Sequence, residues 1–182
     1  MHPRNLMELL PRDPDSGAVN AVVETPANSR NKYRYDEALG LFHLHKVLPL
    51  GDSFPFDFGF IPGTRAEDGD ALDVLILGED PTFTGCLVTV RVLGAIEATQ
   101  LERGRSIRND RLIATPDTPK IRPVARTLDD LPTRLLDQIE HFFSAYNQAE
   151  GRTFTPIARR GPRAAMNLIQ RGIRAYQNSR RT

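Results

Sequence analysis

The segment Asp68-Gly69-Asp70-Ala71-Leu72-Asp73 runs straight into the apolar stretch Val74-Leu75-Ile76-Leu77. The second half reads as a strand, Ala71 to Leu77, whose later residues belong in a core. The first half reads as its acidic entrance. Asp68 and Asp70 lie two apart and share a face if the chain is extended there. Asp73 stands at the mouth of the strand. Carboxylates this close repel, and partial burial makes the repulsion costly. A hard divalent cation with oxygen preference, Mg2+ or Mn2+, turns that cost into binding. A solvated acidic turn accounts for the same pattern, so both readings stand at this level. An EF-hand does not fit: counted from Asp68, Leu72 takes a ligand slot and Asp73 replaces the required glycine.

Outward from this segment the chain is punctuated by glycine and proline. Upstream, Ala18 to Glu24, Lys32 to Asp36, Leu41 to Leu48 and Phe58 to Ile61 read as short strands. Downstream, Cys86 to Val92 and Arg111 to Thr115 continue the set. Short strands at such spacing predict a small barrel or a strongly curled sheet. Two helices follow. Leu131, Leu135, Leu136, Ile139, Phe142, Phe143 and Tyr146 form one apolar stripe at helical period, with Asp129 or Asp130 as cap and Pro132 in the first turn. A basic helix of about 162–178 places Ala165, Leu168, Ile169, Ile173 and Tyr176 on one face. Many strands followed by two helices make an α+β chain built on a barrel. Residues 1–17 read as an arm, with Leu6, Met7, Leu9 and Leu10 as a short docking patch. Residues 18–182 read as one domain.

Composition narrows the function classes. The chain has 182 residues and a formal charge of +1, so no global field points to nucleic acid or membrane. No stretch approaches a membrane span and no apolar signal segment opens the chain. The single cysteine, Cys86, suits a reducing compartment, and a cytoplasmic protein is the default. Two local asymmetries remain: six acids and no base from Glu67 to Asp80, and eight arginines and no acid from Gly151 to Thr182. Only three of the 24 basic side chains are lysines: Lys32, Lys46 and Lys120. A lysine in such an Arg-rich chain marks a place where a compact ammonium can be needed. His43 and His45 share a strand face and read as surface or packing residues, and His141 beside Phe142 and Phe143 as packing or an oligomer contact. There is no Walker loop, dinucleotide fingerprint, G-x-S-x-G elbow or Cys/His zinc spacing.

Several blocks in fixed order resemble the soluble inorganic pyrophosphatases of family I. They are Glu24-Thr25-Pro26-Ala27-Asn28 with Lys32-Tyr33, then Phe54-Pro55-Phe56-Asp57-Phe58-Gly59-Phe60-Ile61-Pro62, then the Asp68–Leu75 segment. Arg111-Leu112-Ile113-Ala114-Thr115-Pro116, Asp129-Asp130-Leu131-Pro132 and His141-Phe142-Phe143 with Tyr146 complete them, over about residues 18–150. The Asp-Gly-Asp block carries Ala71 where the family usually has proline. The resemblance implies a five-stranded OB-like barrel with flanking C-terminal helices. It implies a Mg2+-dependent hydrolase, with Mn2+ as the alternative ion, that splits pyrophosphate into two phosphates. Asp68, Asp70, Asp73 and Glu24 would serve the metals, with Asp70 also orienting the attacking water. Lys32, Lys46, Tyr146 and Arg111 would contact phosphate. A homo-oligomer is implied, commonly a hexamer in bacterial members, with no nucleic-acid or membrane partner.

The chain also departs from the family pattern. Arg34 stands at a usual metal-site glutamate, Phe54 and Phe58 at tyrosines, Asp57 at an asparagine, and Asn147 at a lysine. In the loop from Glu97 to Arg111 the family places two further metal-binding aspartates and a lysine. The simplest alignment puts Gln100 and Asn109 there, with Arg111 for the lysine. A one-residue shift offers Asp110, with Glu102 for the other acid, and Arg159 or Arg160 offers a compensating phosphate contact. These departures keep a second reading open, a non-catalytic or retasked homologue that binds phosphate or a polyphosphate ester. A nucleic-acid-binding module using the Arg-rich tail is a third, opposed by the acidic barrel mouth.

Overall fold

The computed structural model describes residues 5–117 and 125–181. Lys120 and residues 1–4 of the arm lie outside that range. The strands are β1 (Val19–Thr25), β2 (Asn31–Asp36), β3 (Leu41–Val47), β4 (Asp57–Ile61) and β5 (Leu72–Ile76), then β6 (Leu87–Glu102), β7 (Arg105–Arg108), β8 (Arg111–Pro116) and β9 (Thr153–Arg160). The helices are α1 (Thr133–Gln148) and α2 (Pro162–Ser179). Hydrogen bonding runs β1-β4-β5-β8-β6 and returns from β6 to β1, so the path closes through five strands. All these pairings are antiparallel except β5 with β8. β2 and β3 form a separate two-stranded ribbon.

Closure depends on close backbone approach. A Cβ on Gly59 of β4 would lie 1.9 Å from the Val22 carbonyl oxygen on β1. β6 turns the barrel corner at an irregularity between Val92 and Gly94, where a Cβ on Gly94 would meet the Arg160 carbonyl oxygen at 2.2 Å. Glycine is the residue that lets backbones meet so closely in a strand. One side of the sheet packs on α2, with Val74, Ile76, Leu112, Ala165 and Ile169 buried together. The other packs on α1 through Leu75, Ile113, Ile139, Phe143 and Phe154. Met7, in a 3-10 turn over Leu6–Glu8, packs with Val22, Tyr35, Phe60 and Tyr176.

The α+β class, the closed strand set and both helices agree with the sequence reading, and several details differ. Leu10 is exposed rather than docked. Asp130 does not cap α1: its carboxylate accepts from the Arg126 and Thr127 N–H groups, at 2.8 and 2.9 Å, and fixes a 3-10 turn over Leu128–Asp130. Pro132 is the residue before α1 rather than a member of its first turn. Arg159 and Arg160 belong to β9, a strand the sequence reading did not assign. Pro156 hid it. Proline is tolerated on an edge or at a bulge, and Pro156 sits on an edge strand at a register shift of β6.

Candidate active site

β1 delivers Glu24, and the ribbon delivers Lys32, Arg34, His43, His45 and Lys46 to one cleft. β5 adds Asp73, the preceding turn adds Asp68 and Asp70, β8 adds Arg111 and α1 adds Tyr146. The cleft volume is about 660 Å3, the size of sites that take whole small-molecule ligands.

The acidic turn is not extended, so alternation is not what aligns Asp68 with Asp70. The turn folds back through Ala66 N–H to Asp70 O (2.7 Å) and Gly69 N–H to Ala66 O (3.1 Å). Gly69 takes φ +91°, and Asp70 N–H donates to the Asp68 carboxylate at 3.0 Å. The turn thereby aims both carboxylates into the cleft beside Asp73. Burial pushes the Asp68 carboxyl above its usual range, and the charges of Asp73 and Asp70 push the same way.

Guanidinium groups answer two of these carboxylates. Arg34 donates to Asp70, and Arg111 donates to Asp73 and to the Asn109 side-chain oxygen. The Arg111 side chain is buried between rings, 5.2 Å from the Phe143 centroid and 5.5 Å from that of Phe154. Its Nε has no hydrogen-bond partner among the described residues.

Lys32 is buried 3.6 Å from Glu24 and 3.9 Å above the Phe58 ring. Burial holds the Lys32 ammonium below its ordinary range, opposed by Glu24. Burial likewise raises Glu24, opposed by Lys32 and by the Tyr35 N–H at 2.8 Å. Lys46 pairs with Glu150 and lies 4.6 Å over the Tyr146 ring. Burial, then the charges of Glu150 and Asp73, push the Tyr146 phenol far up, so it stays a hydrogen-bond donor at neutral pH.

Asp110 is not brought to this cleft: its carboxylate accepts from the Ala98 N–H at 3.0 Å and from Arg108 at 2.6 Å. Gln100 and Asn109 line the cleft instead, joined by an amide hydrogen bond of 2.8 Å. Glu102 also lines it, paired with Arg152 at 3.1 Å. Arg159 and Arg160 lie outside the lining, neutralised by Asp137 and Glu140 and by Glu97 respectively. His141 lines a separate pocket of about 440 Å3 with Phe142. Asp57 ties loops together, accepting from Ala27 N–H at 2.7 Å and from the Thr82 hydroxyl at 2.7 Å. Asn147 is buried and donates to Phe143 O within α1. Arg152, which the sequence reading missed, reaches the cleft because the chain reverses at Gly151 (φ +70°), and no local motif announces it.

The donor chemistry suits a hard cation on the acidic side. Three carboxylates share that wall, and the cation partners of Asp70 and Asp73 are arginines that an ion can displace. As they stand, no three His, Cys, Asp or Glu side chains among the described residues converge to hold an ion.

A barrel whose mouth sets carboxylates against lysine, arginine and tyrosine defines a phosphoryl-handling hydrolase class. The family model described as inorganic pyrophosphatase matches residues 21–177. An inorganic pyrophosphatase of Halalkalibacterium halodurans is 38% identical over 160 residues, covering 87% of this chain and 95% of that protein. One from Synechocystis is 32% identical over 168 residues, covering 92% and 97%. The crystal structure of inorganic pyrophosphatase from Thermus thermophilus superposes with a TM-score of 0.85 at 32% identity, covering 95% of this chain and 99% of that one. The chain belongs to the inorganic pyrophosphatase family.

Proposed function

We propose that this chain hydrolyses inorganic pyrophosphate to two phosphates, with Mg2+ as the working ion, in the cytoplasm and as a homo-oligomer. The observation that carries the reading is the convergence, on one cleft, of Asp68, Asp70 and Asp73 with Lys32, Lys46, Arg111 and Tyr146. Asp68, Asp70 and Asp73 would hold the ion, with Glu24 behind them. A divalent ion there neutralises substrate charge and lowers the pKa of water.

The chain's own residues supply the rest. Lys32 and Lys46 place ammonium charge on phosphoryl oxygens, and Arg111, seated beside Asp73, adds a guanidinium. Displacement at phosphorus gathers charge on the leaving group, which these cations take up. Once an ion has taken the arginines' place on Asp70 and Asp73, cations already held in the cleft stabilise developing charge without further reorganisation. Tyr146 donates its hydroxyl. Asp70 accepts a hydrogen bond from the attacking water and orients it.

A second reading, binding without turnover, is favoured by the arginines seated on Asp70 and Asp73. Phosphate release from pyrophosphate across Mg2+ and Mn2+ decides between them. Asp70→Asn is expected to lower turnover by ~10²–10⁴-fold, the usual weight of a group that handles the proton. An unmodified chain that binds pyrophosphate but releases no phosphate at any ion concentration establishes the second reading.

A further inference from the structure

From the β2–β3 ribbon we infer a third phosphoryl subsite, formed by Arg34, His43 and His45, that gives the cleft a preference for linear triphosphates over pyrophosphate. It rests on the pyrophosphate reading for the first two phosphoryl positions. Lys32 pairs directly across the ribbon with Lys46, and Arg34 with His43. Lys32 and Lys46 are like charges directly opposite each other, which a strand pair tolerates poorly, and each is held by its own carboxylate, Glu24 and Glu150. Between the two pairs the register slips, leaving His45 as the unpaired residue. A bulge of this kind re-aims a side chain and is common beside active sites. Here it lets His43, His45 and Lys46 all line the cleft, with the two imidazoles stacked at 5.9 Å.

The ladder continues outward from the pyrophosphate cations. Alternate residues on a strand are about 6.6 Å apart, so Arg34 lies one side-chain step beyond Lys32. Among the described residues neither imidazole makes a hydrogen bond, and both residues reach solvent. Burial, then Lys46, Arg34, Lys32 and His43, hold the His45 imidazole below its ordinary range. Behind burial, Lys46, Arg34 and Lys32 make a positive field there that an anion would relieve.

The acids at this end are already engaged. Asp36 accepts from the Ala38 and Leu39 N–H groups, Glu37 from Asn5, Glu102 from Arg152, and Glu150 holds Lys46. Arg34 is held by Asp70 of the acidic turn, in a pair 44% and 57% exposed. Exposed pairs contribute little, so a denser anion takes Arg34 from Asp70. The recognised chemistry is a third phosphoryl group, carried by inorganic tripolyphosphate or by a nucleoside triphosphate.

The test is calorimetric binding to the full chain in Mg2+-free buffer, with pyrophosphate, tripolyphosphate and adenosine triphosphate in parallel. Tripolyphosphate is expected to bind about tenfold more tightly than pyrophosphate, the effect of one added charge-assisted contact. The preference should vanish in His43→Gln/His45→Gln and in Arg34→Gln, all at exposed positions. Adenosine triphosphate matching tripolyphosphate assigns nucleotides as a source; weaker binding assigns the inorganic chain. Equal affinities for pyrophosphate and tripolyphosphate in the unmodified chain, or a preference that survives both variants, overturn the subsite. Pyrophosphate that fails to bind in this buffer while tripolyphosphate binds leaves the subsite standing, and the phosphate-release assay in Mg2+ decides the pyrophosphate reading separately.

Discussion

At the residue scale the buried Lys32–Glu24 pair has the largest consequences. Two charges removed from water must satisfy each other, and deleting one strands the other. Glu24→Gln keeps an acceptor for the Tyr35 N–H but leaves Lys32 without its nearest anion. The expected loss is about 3 kcal/mol near neutral pH, measured by urea unfolding. The pH sign follows from Lys32, whose folded-state pKa burial already depresses. In Glu24→Gln it falls further, so between the depressed folded value and the ordinary unfolded one the unfolded chain holds more protons. Stability of the variant therefore rises with pH through that window. Its deficit against the unmodified chain shrinks toward alkaline pH, and a deficit that stays constant refutes the assignment. Lys32 and Lys46 were legible in the sequence because lysine is rare in this chain. Arg111's bond to Asp73, across 38 residues, was not, since only the β5–β8 pairing brings the two together.

At the scale of elements, the barrel closes where backbones approach without a side chain between them. Gly59 faces the Val22 carbonyl, and backbone has no rotamer with which to retreat. Gly59→Ala is expected to destabilise by about 3 kcal/mol or more, at or beyond the upper end of ordinary overpacking. Thermal melting checks it, and a melting point unchanged from the unmodified chain would mean that β1 and β4 do not meet as described. The strands flanking this contact were readable from alternation and from glycine and proline punctuation. β9 and the second half of β6 were not. Their pairing is set by each other: Pro156 and the terminal arginines carry no strand pattern, yet they fit an edge opposite the Glu97–Ala98 irregularity. The acidic turn was legible as a cluster of carboxylates, but its extended form, the condition for a shared face, was not met, because a glycine at φ +91° bends the chain there.

Over the whole molecule a formal charge of +1 conceals a cleft where Asp68, Asp70 and Asp73 crowd together, with arginines seated on Asp70 and Asp73 but, among the described residues, none on Asp68. Crowded carboxylates cost folded-state stability unless a ligand of opposite charge is bound among them. Asp68 reports that cost, since its carboxyl is pushed up by burial and then by its neighbours. A group with a raised folded-state pKa loses stability as pH rises from the ordinary carboxylate range through the raised value. Removing this one carboxylate therefore helps the metal-free fold and harms the metal-bound one. Asp68→Asn is expected to melt higher than the unmodified chain in chelator at neutral pH. In Mg2+ the order reverses: an ion that binds only the folded state adds about 2.7 kcal/mol at a hundred times its Kd, and the variant forfeits most of it. Melting curves in chelator and in Mg2+ for both proteins decide the matter. An unmodified chain indifferent to Mg2+, or an Asp68→Asn chain stabilised equally by it, would show that the acidic wall is a solvated turn and that the ion is bound elsewhere.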